Sequence, residues 1–353
     1  MSLLEQEYIA TAKEIKEDGL LPLLENKTIL LTGSTGLIAT QIGRTLLECN
    51  RLFNSHIHLV LHARNLDKLK AKYGEYLTDS CVSYILNDIK QEMKCDLPID
   101  YIIHTASITS SMDFINKPVE TIDTLINGTK SVLDFAYNHK VKKVTYLSSL
   151  EVYGDVHDEH ILIDEDKYGY IDFLNVRSSY SEGKRMSECL CSSYAKEYDL
   201  FVNIARLSQT IGSDISIDDN RVFAQFGKCA VTNKDIVLKT KGNTIRSYTY
   251  ISDAVRGILF VLLKGENRNA YNIANKKTLC SISELANMFA KSSEYDIKVV
   301  YDLSQNVASL GYNNEIKINL DTTKIEKLGF TPSVGLSEIV NKLIAGLKEK
   351  IDQ

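Results

Sequence analysis

The chain has 353 residues, a net charge of −5 at neutral pH, 44% hydrophobic residues and 25% charged residues. This composition is that of an ordinary globular protein, which argues against wholesale disorder. A nucleic-acid-binding surface needs a basic stripe, so the acidic balance argues against a general nucleic-acid partner, while a small anionic ligand remains compatible with it.

Seven cysteines occur without a Cys-x-x-Cys pair or a histidine at zinc spacing, at positions 49, 81, 95, 189, 191, 229 and 280. We expect reduced thiols and no structural metal. The N-terminal stretch is acidic, without the basic start and apolar run of a signal peptide, and no window is long and apolar enough to span a membrane. These features predict a cytoplasmic protein with no membrane partner.

The first half of the chain alternates between strands and helices. After a loose helical stripe over residues 3–24, strands are predicted at 28–32, 57–62, 84–86, 101–105 and 144–148. Helices are predicted from the first glycine turn through Leu47 and at 66–76, 117–138 and 178–198. This alternation is typical of βαβ units, which build a parallel sheet with helices on both faces. Right-handed crossovers then give a doubly wound Rossmann sheet of the α/β class.

The pattern changes after Arg206, where the pieces become shorter. Helices are predicted at 221–233, 252–264, 281–291 and 335–350, with a short strand at 236–240. We expect an N-terminal helical extension over 1–26, an NAD(P)-binding Rossmann domain over 27–206, and a smaller mixed substrate-binding domain in the rest of 207–353. The stretch 250–275 is expected to return to the main sheet.

The segment TGSTGLIA, residues 32–39, joins the first strand to the first long helix. Glycines allow a tight turn and a close approach to a pyrophosphate, which binds the amides of a helix N-terminus. The segment therefore predicts a dinucleotide site, with candidate contacts Gly33, Thr35, Gly36, Leu37 and Ile38. The alternative is a strand-to-helix turn without a ligand.

Two further positions follow strand ends. An acidic residue after the second strand would bind the ribose hydroxyls of NAD, but that segment reads HARN, residues 62–65. Arg64 could instead bind the 2′-phosphate of NADP, which favours NADP as the cofactor. The alternative is a solvated surface arginine. Asp88, after the third strand, is placed to contact the adenine.

Tyr180 and Lys184 lie four residues apart, so they share one face of the predicted helix. The lysine charge favours the phenolate, and such a tyrosine can exchange a proton with a hydroxyl while hydride moves. Alone, the spacing favours a surface pair. Together with the glycine turn and with Ser148 and Ser149 at a strand end, it indicates an active site.

These stretches make the chain resemble the extended short-chain dehydrogenase/reductases, and among them the nucleotide-sugar epimerase/dehydratase group. The resemblance runs from about residue 27 to 345. It is carried by TGSTGLIA, NDI at 87–89, IIHTAS at 102–107, NGT at 127–129, YLSSLEVYG at 146–154, RSSYSEGKRMSE at 177–188, ARLSQTIG at 205–212, RSYTYISDAV at 246–255 and YNIAN at 271–275.

The resemblance implies a role for each matching residue. Tyr180 would be the catalytic acid/base, Lys184 would hold the nicotinamide ribose, and Ser149 would hydrogen-bond the reacting hydroxyl. The other matches would line the cofactor pyrophosphate (Gly33, Gly36, Leu37, Ile38), the adenine (Asp88, Ile89), the cofactor ribose (Ala106) and the nucleotide diphosphate of the substrate (Gln209, Arg221, Arg246). The alternative for Arg246 is an ion pair with Asp253.

One position departs from the family's sugar 4,6-dehydratases, which carry an adjacent Asp–Glu pair before VYG. This chain has Leu150 and Glu151 there. Glu151 could still act as a base at C5, but Leu150 cannot protonate a leaving hydroxyl, which argues against dehydration. Nucleotide-sugar decarboxylases of the family also keep the Glu without the Asp, whereas epimerases usually lack the Glu. The net reaction is left open.

The resemblance implies an NAD(P)-dependent enzyme that transiently oxidises C4 of a nucleotide sugar, in surface polysaccharide precursor synthesis. Its product would be an epimer, a dehydrated sugar or a decarboxylated sugar. The alternatives are a net NADPH-dependent ketosugar reductase and, least favoured, a Rossmann protein without catalysis. A homodimer is also implied, through apolar residues of helices 117–138 and 178–198 that include Ile122, Leu125, Leu133, Met186 and Leu190.

Overall fold

The computed structural model describes residues 1–156, 162–304 and 317–352. Its helices are α1 (Leu3–Glu17), α2 (Leu21–Leu24), α3 (Leu37–Phe53), α4 (Leu66–Tyr73), α5 (Ser111–Asn116), α6 (Pro118–Asn138), α7 (Ser179–Glu197), α8 (Val222–Val231), α9 (Ile251–Lys264), α10 (Ile282–Ser292), α11 (Thr323–Glu326) and α12 (Leu336–Ile351). Its strands are β1 (Thr28–Thr32), β2 (His58–Ala63), β3 (Val82–Leu86), β4 (Tyr101–His104), β5 (Lys143–Ser149), β6 (Val202–Leu207), β7 (Gln209–Ile211), β8 (Ile236–Leu238), β9 (Ile245–Arg246), β10 (Tyr248–Tyr250), β11 (Ala270–Ile273), β12 (Cys280–Ser281), β13 (Val299–Tyr301) and β14 (Lys317–Ile318).

Seven parallel strands form the central sheet in the order β11-β6-β5-β4-β1-β2-β3. The strand order reverses between β1 and β4, which is the doubly wound arrangement, and the predicted Rossmann fold is confirmed. The register places Thr32 opposite His104 and Ser149 opposite Leu207. The carboxyl ends of the strands therefore meet along one side of the sheet, called the carboxyl edge below.

Most of the predicted elements agree with the structure to within a few residues, but several strands were not predicted, among them β6 of the central sheet. β1 has its predicted bounds, whereas β3 begins at Val82 and α4 ends at Tyr73. β6 lies in a stretch for which no strand was predicted, although every residue in it is buried. Its sequence, VNIARL, contains Asn203 and Arg206, which hide the apolar pattern. Both polar side chains are paired inside the protein, Asn203 with Thr145 and Arg206 with the Glu188 carboxylate.

The two faces of the sheet carry separate cores. Leu31 of β1 packs with α1, α3 and α9 on one face. Leu30, its neighbour along the same strand, packs with α6 and α7 on the other. This alternation follows from the pleat of the strand, in which successive side chains point to opposite faces. It is the reason that the strands read as continuous apolar runs.

The packing of α6 against α7 corrects part of the sequence-based picture of a dimer surface. Leu125 and Leu133 are each only 1% exposed, so they belong to the core of this chain rather than to a partner surface. Leu190 packs against the same core from the side. Of the five apolar positions, Ile122 and Met186 remain exposed.

The N-terminal helix α1 connects the two halves of the protein. A third core lies in the C-terminal half, where α8, α10 and α12 pack together. The buried carboxylate of Glu7 accepts hydrogen bonds from the hydroxyls of Ser213 and Tyr250 beside that core. At the other end of α1, Asp18 pairs with Arg256 of α9 at 2.7 Å. The N-terminal extension is therefore an integral part of the fold. No helix in the described ranges has the length and apolar content needed to cross a membrane.

Candidate active site

The carboxyl edge brings together residues that the sequence predicted to contact the cofactor. Gly33 follows β1, Arg64 follows β2, Asp88 follows β3 and Ala106 follows β4. In open parallel sheets, ligands bind at this edge, beside the point where the strand order reverses. Residues far apart in the sequence therefore become neighbours where a dinucleotide would bind.

The turn after β1 is fixed by its backbone. Gly33 has a φ of 65°, in the left-handed region that favours glycine. A Cβ at this position would also lie 2.8 Å from the Cα of Ala106. The hydroxyl of Thr32 accepts hydrogen bonds from the amides of Thr105 and Ala106, at 3.1 and 3.2 Å. These contacts hold the glycine turn against the end of β4.

The start of α3 fits a pyrophosphate. Gly36 is the exposed N-cap of this helix, and within the described ranges no side-chain hydrogen bond caps it. The amides of Leu37 and Ile38 belong to the first helical turn, which has no helical carbonyl partners for them. Such amides, together with the helix dipole, bind phosphate groups. Thr35 is half-buried in the same loop.

The residues predicted to contact the adenosine part of the cofactor differ in their surroundings. Arg64 is exposed, and within the described part of the chain no hydrogen bond or ion pair engages its guanidinium. Asp88 is half-buried, and its carboxylate accepts a hydrogen bond from the amide of Lys90 at 3.0 Å. Ile89 is buried and packs against Gly128 of α6. Arg64 therefore has a free guanidinium, whereas Asp88 and Ile89 are held by the fold.

A cluster of three side chains lies beside the carboxyl edge: Ser149, Tyr180 and Lys184. Ser149 ends β5, and its hydroxyl, which accepts a hydrogen bond from the amide of Glu151 at 3.2 Å, lies close to the phenol of Tyr180. The Lys184 Nζ lies 5.7 Å from the centroid of the Tyr180 ring and donates a hydrogen bond to the Leu147 carbonyl at 2.6 Å. The three side chains predicted to act on a hydroxyl therefore form one cluster.

Burial sets the charge states in this cluster. It raises the pKa of Tyr180 above its usual value, and the Glu151 carboxylate raises it further, while the Ser149 hydroxyl and two arginines lower it. Burial lowers the pKa of Lys184 to about 7. In the protein alone, Tyr180 is thus a neutral phenol at neutral pH. The phenolate expected from the Tyr–Lys spacing is not favoured there, because the burial that surrounds the tyrosine also removes much of the lysine charge.

An open pocket of about 200 Å³ lies beside the cluster. Its lining includes Leu150, Glu151, Tyr170, Arg177, Arg246 and Ile318. These residues come from the turn after β5, the segment before α7, and strands β9 and β14. The pocket therefore depends on chain segments that are distant in sequence and that belong to both halves of the protein.

Glu151 is not a free base in this pocket. Its carboxylate accepts two hydrogen bonds from the Arg177 guanidinium, at 2.9 and 3.0 Å, and a third from the Ser181 hydroxyl at 3.1 Å. Planar bidentate pairs of this kind are strong and fix orientation as well as charge. Glu151 is therefore held in one position at the wall of the pocket.

Arg246 faces the same pocket with an unsatisfied donor. The ion pair with Asp253 that the sequence allowed is wrong, because the buried Asp253 carboxylate instead accepts from Arg256 at 3.1 Å and from the amides of Ser333 and Val334 at 2.9 and 3.0 Å. The Nε of Arg246 is buried and has no hydrogen-bond partner within the described ranges. A buried donor without a partner is costly, so this arrangement fits an anionic ligand.

The other two predicted substrate contacts lie nearby with partners of their own. Gln209 begins β7, directly after the end of β6, and pairs in register with Tyr248 of β10. Arg221 is the N-cap of α8, and its guanidinium pairs with Asp219 at 2.6 Å. A diphosphate bound by Arg221 would share that guanidinium with Asp219.

Comparison with known proteins agrees with this geometry. Residues 29–274 match the model of the NAD dependent epimerase/dehydratase family. The chain belongs to this family. It is therefore an enzyme of the NAD-dependent epimerase/dehydratase type, and the N-terminal helix α1 lies outside the matched range.

Relatives of this epimerase/dehydratase include decarboxylases. The chain is 27% identical over 317 residues to UDP-glucuronic acid decarboxylase 6 of Arabidopsis thaliana, covering 89% of this chain and 86% of that protein. It is 25% identical over 275 residues to UDP-glucuronic acid decarboxylase 1 of Danio rerio, covering 77% of this chain and 62% of that protein.

Solved structures share the fold. UDP-glucuronic acid 4-epimerase from Bacillus cereus, in complex with UDP-glucuronic acid and NAD, superposes with a TM-score of 0.76 at 24% identity, covering 92% of this chain and 99% of that one. The dTDP-glucose 4,6-dehydratase DesIV from Streptomyces venezuelae, with NAD bound, gives a TM-score of 0.76 at 21% identity, covering 92% of this chain and 98% of that one.

Sequence reasoning did not single out every residue that forms this family member's pocket. Arg177, Ser181 and Tyr170 line it, and none was predicted as a site residue. Arg177 carried a detectable signal, because it lies three residues before Tyr180, just ahead of the helix that carries Tyr180 and Lys184. Tyr170 carried none, since only the fold brings its loop to the pocket.

Proposed function

We propose that the chain oxidises C4 of a nucleotide sugar that carries a carboxylate on C5, releases that carboxylate as CO₂, and returns the hydride to C4. The observation that carries the proposal is the cluster of Ser149, Tyr180 and Lys184 beside a pocket lined by Glu151 and Arg246. The buried Nε of Arg246 has no hydrogen-bond partner within the described ranges. The Arabidopsis thaliana and Danio rerio relatives, both named UDP-glucuronic acid decarboxylases, support this outcome.

The first step removes a hydride and a proton from the C4 alcohol. In the proposal, Ser149 hydrogen-bonds the C4 oxygen and Tyr180 accepts its proton, which is ordinary general-base chemistry. A nicotinamide bound at the carboxyl edge would supply the hydride acceptor, and later the hydride donor. Lys184 would hold the cofactor ribose, and its ammonium form would place positive charge beside the phenol and so favour the phenolate that the base must be. The glycine turn and the open start of α3 are the features that fit this cofactor.

The second step uses the C4 ketone. The C5 carboxylate is now β to a carbonyl, so the bond from C5 to the carboxyl carbon can break, its electron pair moving onto the C4 oxygen as CO₂ leaves. A proton from solvent must then reach C5. We assign its relay to Glu151, whose carboxylate would take up the solvent proton and pass it to C5, and would be a carboxylate again afterwards. Leu150 is apolar and 3% exposed, so it cannot serve as the acid that dehydration needs. Returning hydride to C4 and a proton to its oxygen leaves no net oxidation.

The choice of cofactor is a finer proposal. The guanidinium of Arg64 is exposed and has no partner in the described part of the chain, and the segment HARN at the end of β2 contains no acidic residue, which supports binding of the 2′-phosphate of NADP. The proposed reaction consumes no reducing equivalents, and the relatives are named decarboxylases, so a net ketosugar reductase is not favoured.

The division of labour and the assembly are also proposed. Residues 27–206 with 250–275 would bind the cofactor, and the rest of 207–353 the nucleotide, which the separate core of α8, α10 and α12 supports. A homodimer through α6 and α7 is supported by the exposed side chains of Val119, Ile122 and Met186. Light scattering at micromolar concentration should give twice the chain mass; a monomer would refute this assembly.

The reaction is tested by mass spectrometry. Wild-type enzyme with NAD or NADP and UDP-glucuronic acid should form a product lighter by one CO₂, and in D₂O this product should carry one solvent deuterium, at C5. A product of unchanged mass would instead be an epimer, and a product lighter by one water would mean dehydration; either outcome refutes the decarboxylation. The same incubation with other UDP, dTDP, GDP and CDP sugars tests the nucleotide.

A further inference from the structure

Arg177 occupies a position between the two groups that the proposed reaction uses. It lies in the short 3-10 turn Val176–Ser178 directly before α7, and its side chain is only 15% exposed. Its two terminal nitrogens each donate to a different oxygen of Glu151, at 3.0 and 2.9 Å. Because the guanidinium is a planar fork, this contact fixes the plane of the carboxylate, which a lysine could not do.

The same guanidinium also packs towards Tyr180. Its central carbon lies 4.8 Å from the centroid of the Phe114 ring, a cation–π distance. Phe114 in turn stacks on the Tyr180 ring, with centroids 4.3 Å apart and 13° between the planes. The backbone supports this stack, since the Ser179 hydroxyl donates to the Phe114 carbonyl at 2.9 Å. Arg177 thus contacts Glu151 directly and Tyr180 through one intervening ring.

We infer that Arg177 is a positioning residue that holds the Glu151 carboxylate and the Tyr180 ring in a fixed mutual arrangement for the two steps of the reaction. The inference rests on the proposed function, because Glu151 and Tyr180 take their roles from it. Arg177 itself need not touch the substrate. Its effect is to orient one group by a bidentate pair and the other through the Phe114 stack.

The charges around Tyr180 give this arrangement a measurable consequence. The Glu151 carboxylate raises the pKa of Tyr180, while Arg177 and Arg221 lower it. Lys184 faces the ring from the same helix, and the neutral phenol of Tyr146 lies behind it. Losing the Arg177 charge would leave Glu151 uncompensated, so the pKa of Tyr180 would rise. A general base with a higher pKa needs a higher pH, so the rising limb of the rate profile should move to higher pH.

The experiment compares four variants with wild type, using UDP-glucuronic acid and the preferred cofactor. In Arg177→Gln, kcat should fall about ten- to a hundredfold, because a small misplacement of the reacting groups lowers the rate by about this much. The rising limb of its pH profile should shift to higher pH. In Arg177→Lys, the rising limb of the pH profile should move back towards its wild-type position, because the positive charge is restored. The kcat should stay low, because lysine lacks the planar guanidinium that makes two parallel hydrogen bonds. In the double variant Arg177→Gln with Glu151→Gln, the rising limb of the pH profile should also move back towards its wild-type position, since the carboxylate that Arg177 compensated is gone.

Arg51→Gln is the matched control, because it removes another arginine–glutamate pair, between the half-exposed Arg51 and the buried Glu48 of α3, which does not line the pocket. Its kcat and pH profile should be those of wild type. The Kd of the cofactor should stay unchanged in all variants, which would show that the Rossmann half is intact.

Two outcomes would overturn the inference. Wild-type kcat in Arg177→Gln would show that Arg177 positions nothing. A low kcat with an unmoved pH limb, or full rescue by lysine, would show that the residue acts through general stability or charge alone. Failure of the proposed function is seen separately, because wild-type enzyme itself would then release no CO₂ from UDP-glucuronic acid.

Discussion

The carboxyl edge of this enzyme and the pocket lined by Glu151 and Arg246 lie side by side, but their shapes are fixed in different ways. The carboxyl edge consists of strand ends, and the backbone fixes its shape. The chain turns at Gly33, and the hydroxyl of Thr32 accepts hydrogen bonds from the two amides directly after β4. The pocket is fixed by side chains from separate segments, with the pair of Glu151 and Arg177 on one wall and Arg246 on another.

This difference indicates where specificity can change. A region whose shape is set by the backbone depends on glycine and on strand register, so few substitutions can change which ligand it binds. A side-chain-built region can accept a different sugar after one or two substitutions. Changes at the edge should therefore affect cofactor binding or folding, and changes in the pocket should affect substrate binding or rate.

The largest effect is expected at Tyr180, where the two regions meet. Replacing it with phenylalanine removes the proposed acid/base and should lower kcat by about 10²–10⁴-fold. Only one hydroxyl is lost, so cofactor and substrate should bind nearly as before, which isothermal titration calorimetry can measure. Wild-type turnover in Tyr180→Phe would mean that the active-site assignment is wrong.

A smaller effect is expected at the pocket wall. Arg246→Gln removes the charge of an arginine whose buried Nε has no partner among the described residues. A charged hydrogen bond contributes about 1.5–3 kcal/mol. KM for UDP-glucuronic acid should rise by one to two decades while the Kd of the cofactor stays constant. Inhibition by UDP then separates the anionic groups: a parallel rise in its Ki assigns Arg246 to the diphosphate, and an unchanged Ki assigns it to the sugar carboxylate. An unchanged KM would remove Arg246 from the site.

Cofactor choice tests the other region. If Arg64 binds a 2′-phosphate, NADP should bind more tightly than NAD, and Arg64→Ala should remove about 1.5–3 kcal/mol of that preference. Fluorescence titration with both cofactors measures it, and Lys68→Ala on the same side of the sheet serves as a charge-matched control. Equal affinities in the wild type would contradict the role of Arg64.

The smallest of these effects concerns folding. Gly33→Ala forces a left-handed φ and places a methyl against the Ala106 backbone, so it should lower the free energy of unfolding by about 1–3 kcal/mol. Gly36→Ala is the matched control, since its φ is −76° and its new Cβ meets only the Gly33 carbonyl, at 3.3 Å. Urea denaturation should separate the two variants. Equal stability would show that the turn is not held by its backbone as described.

The contrast between the regions also explains what the sequence could predict. The strands, the glycine turn and the spacing of Tyr180 and Lys184 are local patterns, and the confirmed Rossmann sheet follows from them. Tyr170 reaches the pocket only through long-range packing. Arg177 lies close to Tyr180 in the sequence, but no local pattern marks its pair with Glu151. Leu125 and Leu133 were assigned to a partner surface because periodicity identifies an apolar face but not which neighbour covers it.

The central claim is that C4 is oxidised only transiently, and a label at that carbon tests it most directly. UDP-glucuronic acid with deuterium at C4 should be turned over by enzyme holding only catalytic amounts of cofactor. The account predicts a decarboxylated product that keeps its deuterium at C4, and a slower rate than with the unlabelled sugar. Deuterium appearing in free reduced cofactor at one equivalent per turnover, or CO₂ release with no isotope effect and no cofactor requirement, would contradict it.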